Sequence, residues 1–181
     1  MAKTYPAISV IMPVLNEQDH LAAAVQSVLS QNYPGQIELL LCLGPSTDST
    51  NQIAASLALA DPRIRPINNP RGLTTVGLNE AIRQAQFDII IRIDAHSEPT
   101  PGYFQRGVEI LDEQNADLLG GIMDARGKAS FQSATAWAYT SRFGIGGAAF
   151  HVGGEAGPAD PPNRCLGGDL GVERGRPLHT H

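Results

Sequence analysis

Within about 90 residues the chain alternates four times between a short apolar, β-branched run and an amphipathic stretch, a pattern that restricts it to βαβ units around a mostly parallel sheet. Ala7-Ile8-Ser9-Val10-Ile11-Met12-Pro13 ends at a proline and reads as a buried strand. From Glu17 to Gln31, Leu21, Ala24, Val25 and Val28 recur at helical spacing, and Pro34-Gly35 stops that helix. Ile37 to Leu43 is an almost unbroken apolar run, as expected of a strand buried on both faces. Gly44-Pro45-Ser46-Thr47 forms a turn, and Asp48 or Ser49 can cap a helix reaching about Ala60. Arg63–Ile67 fits a third strand, Thr74 or Thr75 opens a helix to Gln86, and Asp88–Ile93 fits a fourth strand. A helix is expected at Tyr103–Gln114, a strand at Ala116–Ile122 and a further helix at Phe131–Ser141, before the glycine-rich 143–147.

Composition narrows the function classes. With 42% hydrophobic and 17% charged residues among 181, the chain can bury a core and is not intrinsically disordered. Thirteen basic against 18 acidic residues give a net charge of −5 without a basic stripe, which argues against nucleic-acid binding. Cys42 and Cys165 are too few and too far apart for a disulfide framework or zinc site, and Cys42 is expected to be a buried strand residue. Met1–Pro6 lacks the features of a signal peptide. The longest apolar runs are about six residues, against about 20 for a bilayer span. A soluble chain of a reducing compartment is expected, cytoplasmic or at the inner face of the membrane.

Residues 151–181 differ in kind, holding 11 of the 19 glycines and 13 prolines with hardly any apolar periodicity. Such a segment buries too little to offset its ordering entropy and is expected to be irregular. The expected division is an α/β domain over 1–155 and a glycine- and proline-rich tail over 156–181.

In open parallel sheets, ligands bind beyond the carboxyl ends of the strands. Three loops there carry polar residues: Val14-Leu15-Asn16-Glu17, Gly44 to Asp48, and Asp94-Ala95-His96. The third is the sharpest signal. Residues two apart in an extended segment share a side, so Asp94 and His96 can converge on a cation that bridges to phosphate oxygens. Asp94 capping a turn, with His96 on the surface, satisfies the same residues. Asn16-Glu17 equally suits a helix cap and first turn. Gly44 would let a ligand approach the backbone, and it also suits a plain turn. Arg71 before the third helix and Asn79 on its flank carry no signal by themselves. No Walker A, G-x-G-x-x-G or G-x-S-x-G sequence is present, which disfavours P-loop, Rossmann dehydrogenase and α/β-hydrolase readings.

Four segments in order, ISVIMPVLNE, IELLLCLGPSTDST, NNPRGLTTVGLNEAI and DIIIRIDAHSEPTPGYF, resemble a family 2 glycosyltransferase of the GT-A fold over roughly residues 6–155. GPS-T-D and D-A-H are similar to the bacterial exopolysaccharide, succinoglycan-type branch. The resemblance implies transfer of a sugar from a nucleotide-diphosphate-sugar, UDP-linked by expectation, to a hydroxyl of a glycan or lipid-linked acceptor. A divalent cation, Mg or Mn, would neutralise the diphosphate leaving group. Carried over by position, Pro13, Asn16 and Glu17 would line the nucleoside pocket, with Gly44 and Ser46 beside them and Arg71 towards the diphosphate. Asp94 would take the first Asp of the family's D-x-D, and His96 the second, the metal-ligand position.

Two departures stand out. Where many relatives carry V-D-D-G-S, this chain has Cys42-Leu43-Gly44-Pro45-Ser46, so a carboxylate that reads the base is missing. His96 replaces an oxygen ligand, which loosens the preference for magnesium or manganese. The family's acceptor-side base, usually within an E-D pair, has no counterpart here, and no Q-x-x-R-W follows; Trp137 fits a helix core. The loss of pattern near Asp160 predicts a chain shortened relative to its family, through a frameshift near residue 160. Any membrane association would then belong to a longer form. The competing readings are a non-catalytic nucleotide-sugar-binding fragment and, more remotely, a sugar-phosphate nucleotidyltransferase. The latter needs a basic glycine-rich loop where VLNEQDH stands.

Overall fold

A computed structural model describes residues 4–120 and 170–174. The segment 131–141 with Trp137, the stretch 143–147 and Cys165 lie outside those residues. The elements run β1 (Ile8–Val14), α1 (Leu21–Leu29), β2 (Ile37–Leu43), α2 (Thr50–Ala60), β3 (Ile64–Asn68), α3 (Thr74–Gln84), β4 (Ile89–Ile93), α4 (Tyr103–Glu113), β5 (Leu118–Gly120) and β6 (Leu170–Arg174). The sheet order is β3-β2-β1-β4-β6-β5. β1 pairs in parallel with β2, from Ile8↔Ile37 to Val14↔Leu43, and with β4, from Ile8↔Ile89 to Ile11↔Arg92. β3 continues the parallel ladder beyond β2, from Leu39↔Ile64 to Leu43↔Asn68.

This order places the site. The chain steps from β1 to β2 to β3 in one direction, then crosses back to lay β4 on the other side of β1. Right-handed crossovers put α1 and α2 on one face of the sheet and α3 on the other. The contacts agree, since α1 touches α2 while α3 packs on β1, β2 and β3. The strand order therefore reverses between β1 and β4, and a crevice opens beyond their carboxyl ends.

Burial on both faces explains the unbroken apolar strands. Leu39, Leu40 and Leu41 are successive residues of β2 and all are fully buried, which alternation alone would not permit in a half-exposed sheet. On the α3 face, Ile11, Leu40, Cys42, Ile67 and Ile90 pack with Ala81, flanked by Leu78, Ile82 and Ala85. Cys42 is the buried strand residue expected of it, and burial pushes its thiol up to about 12. It stays a thiol at neutral pH and is inert. A thiol reagent at neutral pH should therefore leave Cys42 unmodified in the native protein and label it on unfolding, as read by peptide mass spectrometry.

One glycine is set by close approach. A Cβ on Gly77 would lie 2.8 Å from Nδ2 of Asn69 and 3.1 Å from Cβ of Cys42. Alanine there gains about 1 kcal/mol of helix propensity but forces α3 off the sheet, at about 1–3 kcal/mol. We expect Gly77→Ala to be destabilising by about 1 kcal/mol in chemical denaturation; a stabilised variant would show that α3 is free to shift.

β6 departs from the expected irregular tail. Leu170 and Val172 alternate with Gly171 and Glu173, a period too short to register among the surrounding glycines. Lying between β4 and β5 supplies backbone partners that no local pattern reveals. No helix among the described residues is long and apolar enough to cross a membrane.

Candidate active site

The loops after β1 and β2 are stitched together by their polar side chains. Asn16 adopts φ 54°, a left-handed conformation that asparagine tolerates better than most residues. Its Oδ1 accepts from the Thr47 N–H at 2.8 Å and the Thr47 hydroxyl at 3.3 Å, and its own N–H donates to Ser46 Oγ at 3.0 Å. The Glu17 N–H donates to the hydroxyl of Thr50, a fully buried residue, at 2.8 Å. Asp48, one residue before the α2 N-cap Ser49, accepts from the Thr50 N–H at 2.9 Å and from the Gln18 N–H at 3.3 Å. The hydrogen bond from the Thr50 side chain is the main cause holding the Asp48 carboxyl below its ordinary value. Asn16 is thus no helix cap. The first helix begins at Leu21, with His20 at its N-cap position and no side-chain cap bond.

These bonds fix Glu17 at the crevice. A cavity of about 210 Å³ opens there, lined by Pro13, Glu17, Asn69, Arg92, Asp94 and His96 among others. Asp94 is 8% exposed, and both its oxygens are engaged by Arg92, Nε to Oδ1 at 3.0 Å and a terminal nitrogen to Oδ2 at 3.2 Å. Two-residue spacing at the end of β4 puts Arg92 and Asp94 on one side, while the alternate Ile93 and Ala95 are buried. The Asp94 carbonyl also accepts from the Ser97 N–H at 2.9 Å, closing the expected turn. His96 is half-exposed, with Nδ1 3.1 Å from Oε1 of Glu17, whose Oε2 lies 3.5 Å from Nδ1 of His20.

Of the residues singled out from the sequence, Pro13, Glu17, Asp94 and His96 meet at this cavity. Asn16 and Ser46 act one step back, in the stitching of the loops. Gly44 lines a neighbouring cavity of about 410 Å³ with Pro45, Asn51, Pro66, Asn68 and Pro70. Arg71 is exposed and Asn79 is too, and neither lines either cavity. The guanidinium at the crevice is that of Arg92, which the reading of the sequence passed over inside an apolar strand. Asn69 was also missed. It is 4% exposed, its Nδ2 donates to the Leu73 carbonyl at 3.1 Å, and its buried Oδ1 has no partner. It holds the turn at Gly72, φ 65°, that enters α3.

Among the described residues no group of three or more His, Cys, Asp or Glu could hold a metal ion. Asp94 and His96 nevertheless share one cavity, an oxygen and a nitrogen donor whose number suits a cation completed by ligand oxygens rather than a full protein cage.

A parallel α/β sheet gathers acidic, imidazole and guanidinium groups at its switch point, the place where open α/β sheets take their ligands. The chain belongs to glycosyl transferase family 2, whose profile matches residues 9–159. It is 34% identical over 146 residues to the succinoglycan biosynthesis protein ExoA of Rhizobium meliloti (strain 1021), covering 80% of this chain and 44% of that protein. The chain thus spans less than half the length of this relative. Among solved structures, the fold is that of the mannosyltransferase PcManGT from Pyrobaculum calidifontis in complex with GDP-Man and Mn²⁺ (TM-score 0.58, 24% identity, 66% of this chain and 36% of that one). It is also that of S. aureus TarS 1-349 in complex with UDP-GlcNAc (TM-score 0.55, 22% identity, 68% and 37%). These are glycosyltransferases of the GT-A fold.

Proposed function

We propose that this chain carries the donor site of a glycosyltransferase that moves a sugar from a nucleotide-diphosphate-sugar to an acceptor hydroxyl, in the synthesis of extracellular polysaccharide or cell-envelope glycan. The carrying observation is the meeting of Pro13, Glu17, Arg92, Asp94 and His96 in one cavity at the β1/β4 switch point of a family 2 chain. The likeness to ExoA, a succinoglycan biosynthesis protein, supports the polysaccharide class; a glycan or lipid-linked acceptor, reached at the cytoplasmic side of the membrane, completes the proposal.

Asp94 and His96 would hold a divalent cation, which supplies charge neutralisation to the departing diphosphate. Arg92 adds a permanent positive charge at the same wall. Beside it, the cavity lined by Gly44, Pro45, Asn51 and Asn68 offers flat apolar surface and amide groups suited to a base. Leu43-Gly44 stands where many relatives carry an acidic pair, which weakens base-reading selection for uridine; UDP is the first choice and GDP the second, as the two neighbours' donors support either.

Calorimetric titration of UDP, GDP and their sugar conjugates, with Mn²⁺ and then with chelator, tests this. One nucleotide should bind, and chelation should weaken it. A folded sample that binds none of them would overturn the donor-site assignment.

A further inference from the structure

The loops after β1 and β2 exchange hydrogen bonds in both directions, the side chains of each taking the backbone N–H groups of the other. Asn16 Oδ1 and Gln18 Oε1 accept from the N–H groups of Thr47 and Ser49 at 2.8 and 3.2 Å. In return, Ser46 Oγ, Thr50 Oγ1 and Asp48 Oδ2 accept from those of Asn16, Glu17 and Gln18 at 3.0, 2.8 and 3.3 Å. At the strand ends the Gly44 N–H donates to the Val14 carbonyl at 2.8 Å, so the exchange carries the β1–β2 pairing on past Val14↔Leu43. Asn16 holds a particular place in it. The crevice cavity is lined by Pro13, Val14, Leu15 and Glu17 but not by Asn16, and neither Asn16 nor Ser46 lines the neighbouring cavity. Asn16 also carries the left-handed turn, φ 54°, between Leu15 and Glu17.

We propose that the two loops form one preassembled wall of the crevice, and that Asn16 is a positioning residue that holds this wall in its ligand-ready shape without touching the nucleotide. This rests on the donor-site reading above and deepens it by naming what sets the wall's shape before the ligand arrives. The physical basis is entropic. A loop that must be ordered at the moment of binding opposes association, whereas a loop ordered on folding does not. When only a fraction of the molecules hold the competent arrangement, apparent affinity falls by that fraction. Asn16 is suited to the task because asparagine tolerates the left-handed backbone while its Oδ1 accepts from both the N–H and the hydroxyl of Thr47. The exchange also limits what the wall offers. Loops with free N–H groups can cradle phosphate, but here those of Asn16, Glu17, Gln18, Thr47 and Ser49 face the opposite loop's side chains. Phosphate charge is therefore left to groups such as Arg92 elsewhere in the crevice.

Three variants of the full chain test it. Asn16→Gly permits the left-handed backbone and removes the acceptor, Ser46→Ala removes the reciprocal acceptor from the opposite loop, and the third combines them. Thr47 is exposed, so slow hydrogen exchange at its amide reports the bond to Asn16. That exchange should quicken by about tenfold or more in Asn16→Gly. Stopped-flow binding of UDP and GDP should show the association rate constant of Asn16→Gly lowered about tenfold, with dissociation unchanged within about twofold. A smaller competent fraction slows binding, whereas a lost contact speeds release. Ser46→Ala should act in the same direction, and the double variant should lose less than the product of the two effects, because both loosen one wall. A loss confined to dissociation would make Asn16 a direct ligand contact and overturn the inference. So would unchanged association in Asn16→Gly, or fully multiplicative losses in the double variant; in each case nucleotide binding by the native chain keeps the donor site standing. Absence of that binding would remove the donor site and this role with it, and Thr47 exchange would still show whether Asn16 holds the loops together.

Discussion

Replacing Glu38 with alanine should lower the unfolding free energy by about 3 kcal/mol, a large share of the 5–15 kcal/mol typical of a domain. Glu38 is 5% exposed on β2, an acid placed in an otherwise apolar strand, and each of its oxygens has a partner. Oε1 accepts from the Ser9 hydroxyl and the Gln86 N–H, both at 2.6 Å, and Oε2 accepts from Arg65 at 2.6 Å. Ser9 Oγ in turn accepts from the Phe87 N–H at 3.2 Å, and Arg65 also donates to the Gln84 carbonyl at 3.1 Å. One carboxylate therefore ties β1, β2 and β3 to the segment that leads from α3 into β4. Removing it strands a part-buried guanidinium, a fully buried hydroxyl and a backbone N–H, and leaving such groups unmatched costs more than the bonds themselves are worth. Glu38→Gln keeps the shape and the acceptor to Ser9 but not the charge, so its loss should be smaller, about 1–2 kcal/mol. Urea denaturation of the three proteins with unchanged slope checks the order. A loss under about 0.5 kcal/mol for alanine would mean that Arg65 escapes to water and that the network holds nothing together.

The strand–helix alternation was legible because each element advertises itself within a few residues. Ile37–Leu43 is bounded as expected, and so are the starts of α3 and α4. The helix after β1 was placed too early because Glu17 to His20 carry helix-compatible residues, yet their backbone is committed to the neighbouring loop. Glu17 N–H goes to Thr50 and Gln18 N–H to Asp48, contacts 30 or more residues away. Asp94 and His96 were expected to share a side of an extended segment, but β4 ends at Ile93 and a turn from Asp94 to Ser97 separates them, so they line one cavity through that turn rather than through period two. Their partners were not legible. Arg92 looks like one charge inside DIIIRI, and only the alignment of β4 with β1 turns it towards the crevice. Asn69 in NNPRG carries the signature of a turn, and its burial against Gly77 is a property of the packed sheet. Arg71 in the same segment carries the more suggestive charge and lines neither cavity. A charge in a loop is visible in sequence; which way a loop presents it depends on long-range contacts.

Asp94→Ala should abolish the cation-dependent part of nucleotide affinity, a loss of several kcal/mol or about a hundredfold and more, because it deletes the oxygen donor at the proposed metal position. The same variant should act in the opposite direction when no cation is present. In the native chain Arg92 spends two of its N–H groups on Asp94, at 3.0 and 3.2 Å, so its charge is already matched. Without the carboxylate that guanidinium faces the cavity unmatched, and a diphosphate is the nearest chemistry that fits its fork. Affinity for UDP or GDP in chelator should then rise severalfold, while added Mn²⁺ no longer strengthens it. Arg92→Ala should do the reverse in chelator, and the double variant should lose both effects. Calorimetry with and without Mn²⁺ on the four proteins resolves these signs, with thermal unfolding run alongside since an unpaired, mostly buried guanidinium also costs about 1–3 kcal/mol of stability. Full Mn²⁺ dependence persisting in Asp94→Ala would show that the cation is held elsewhere. The pair at the end of β4 would then be structural, Asp94 serving only to neutralise Arg92.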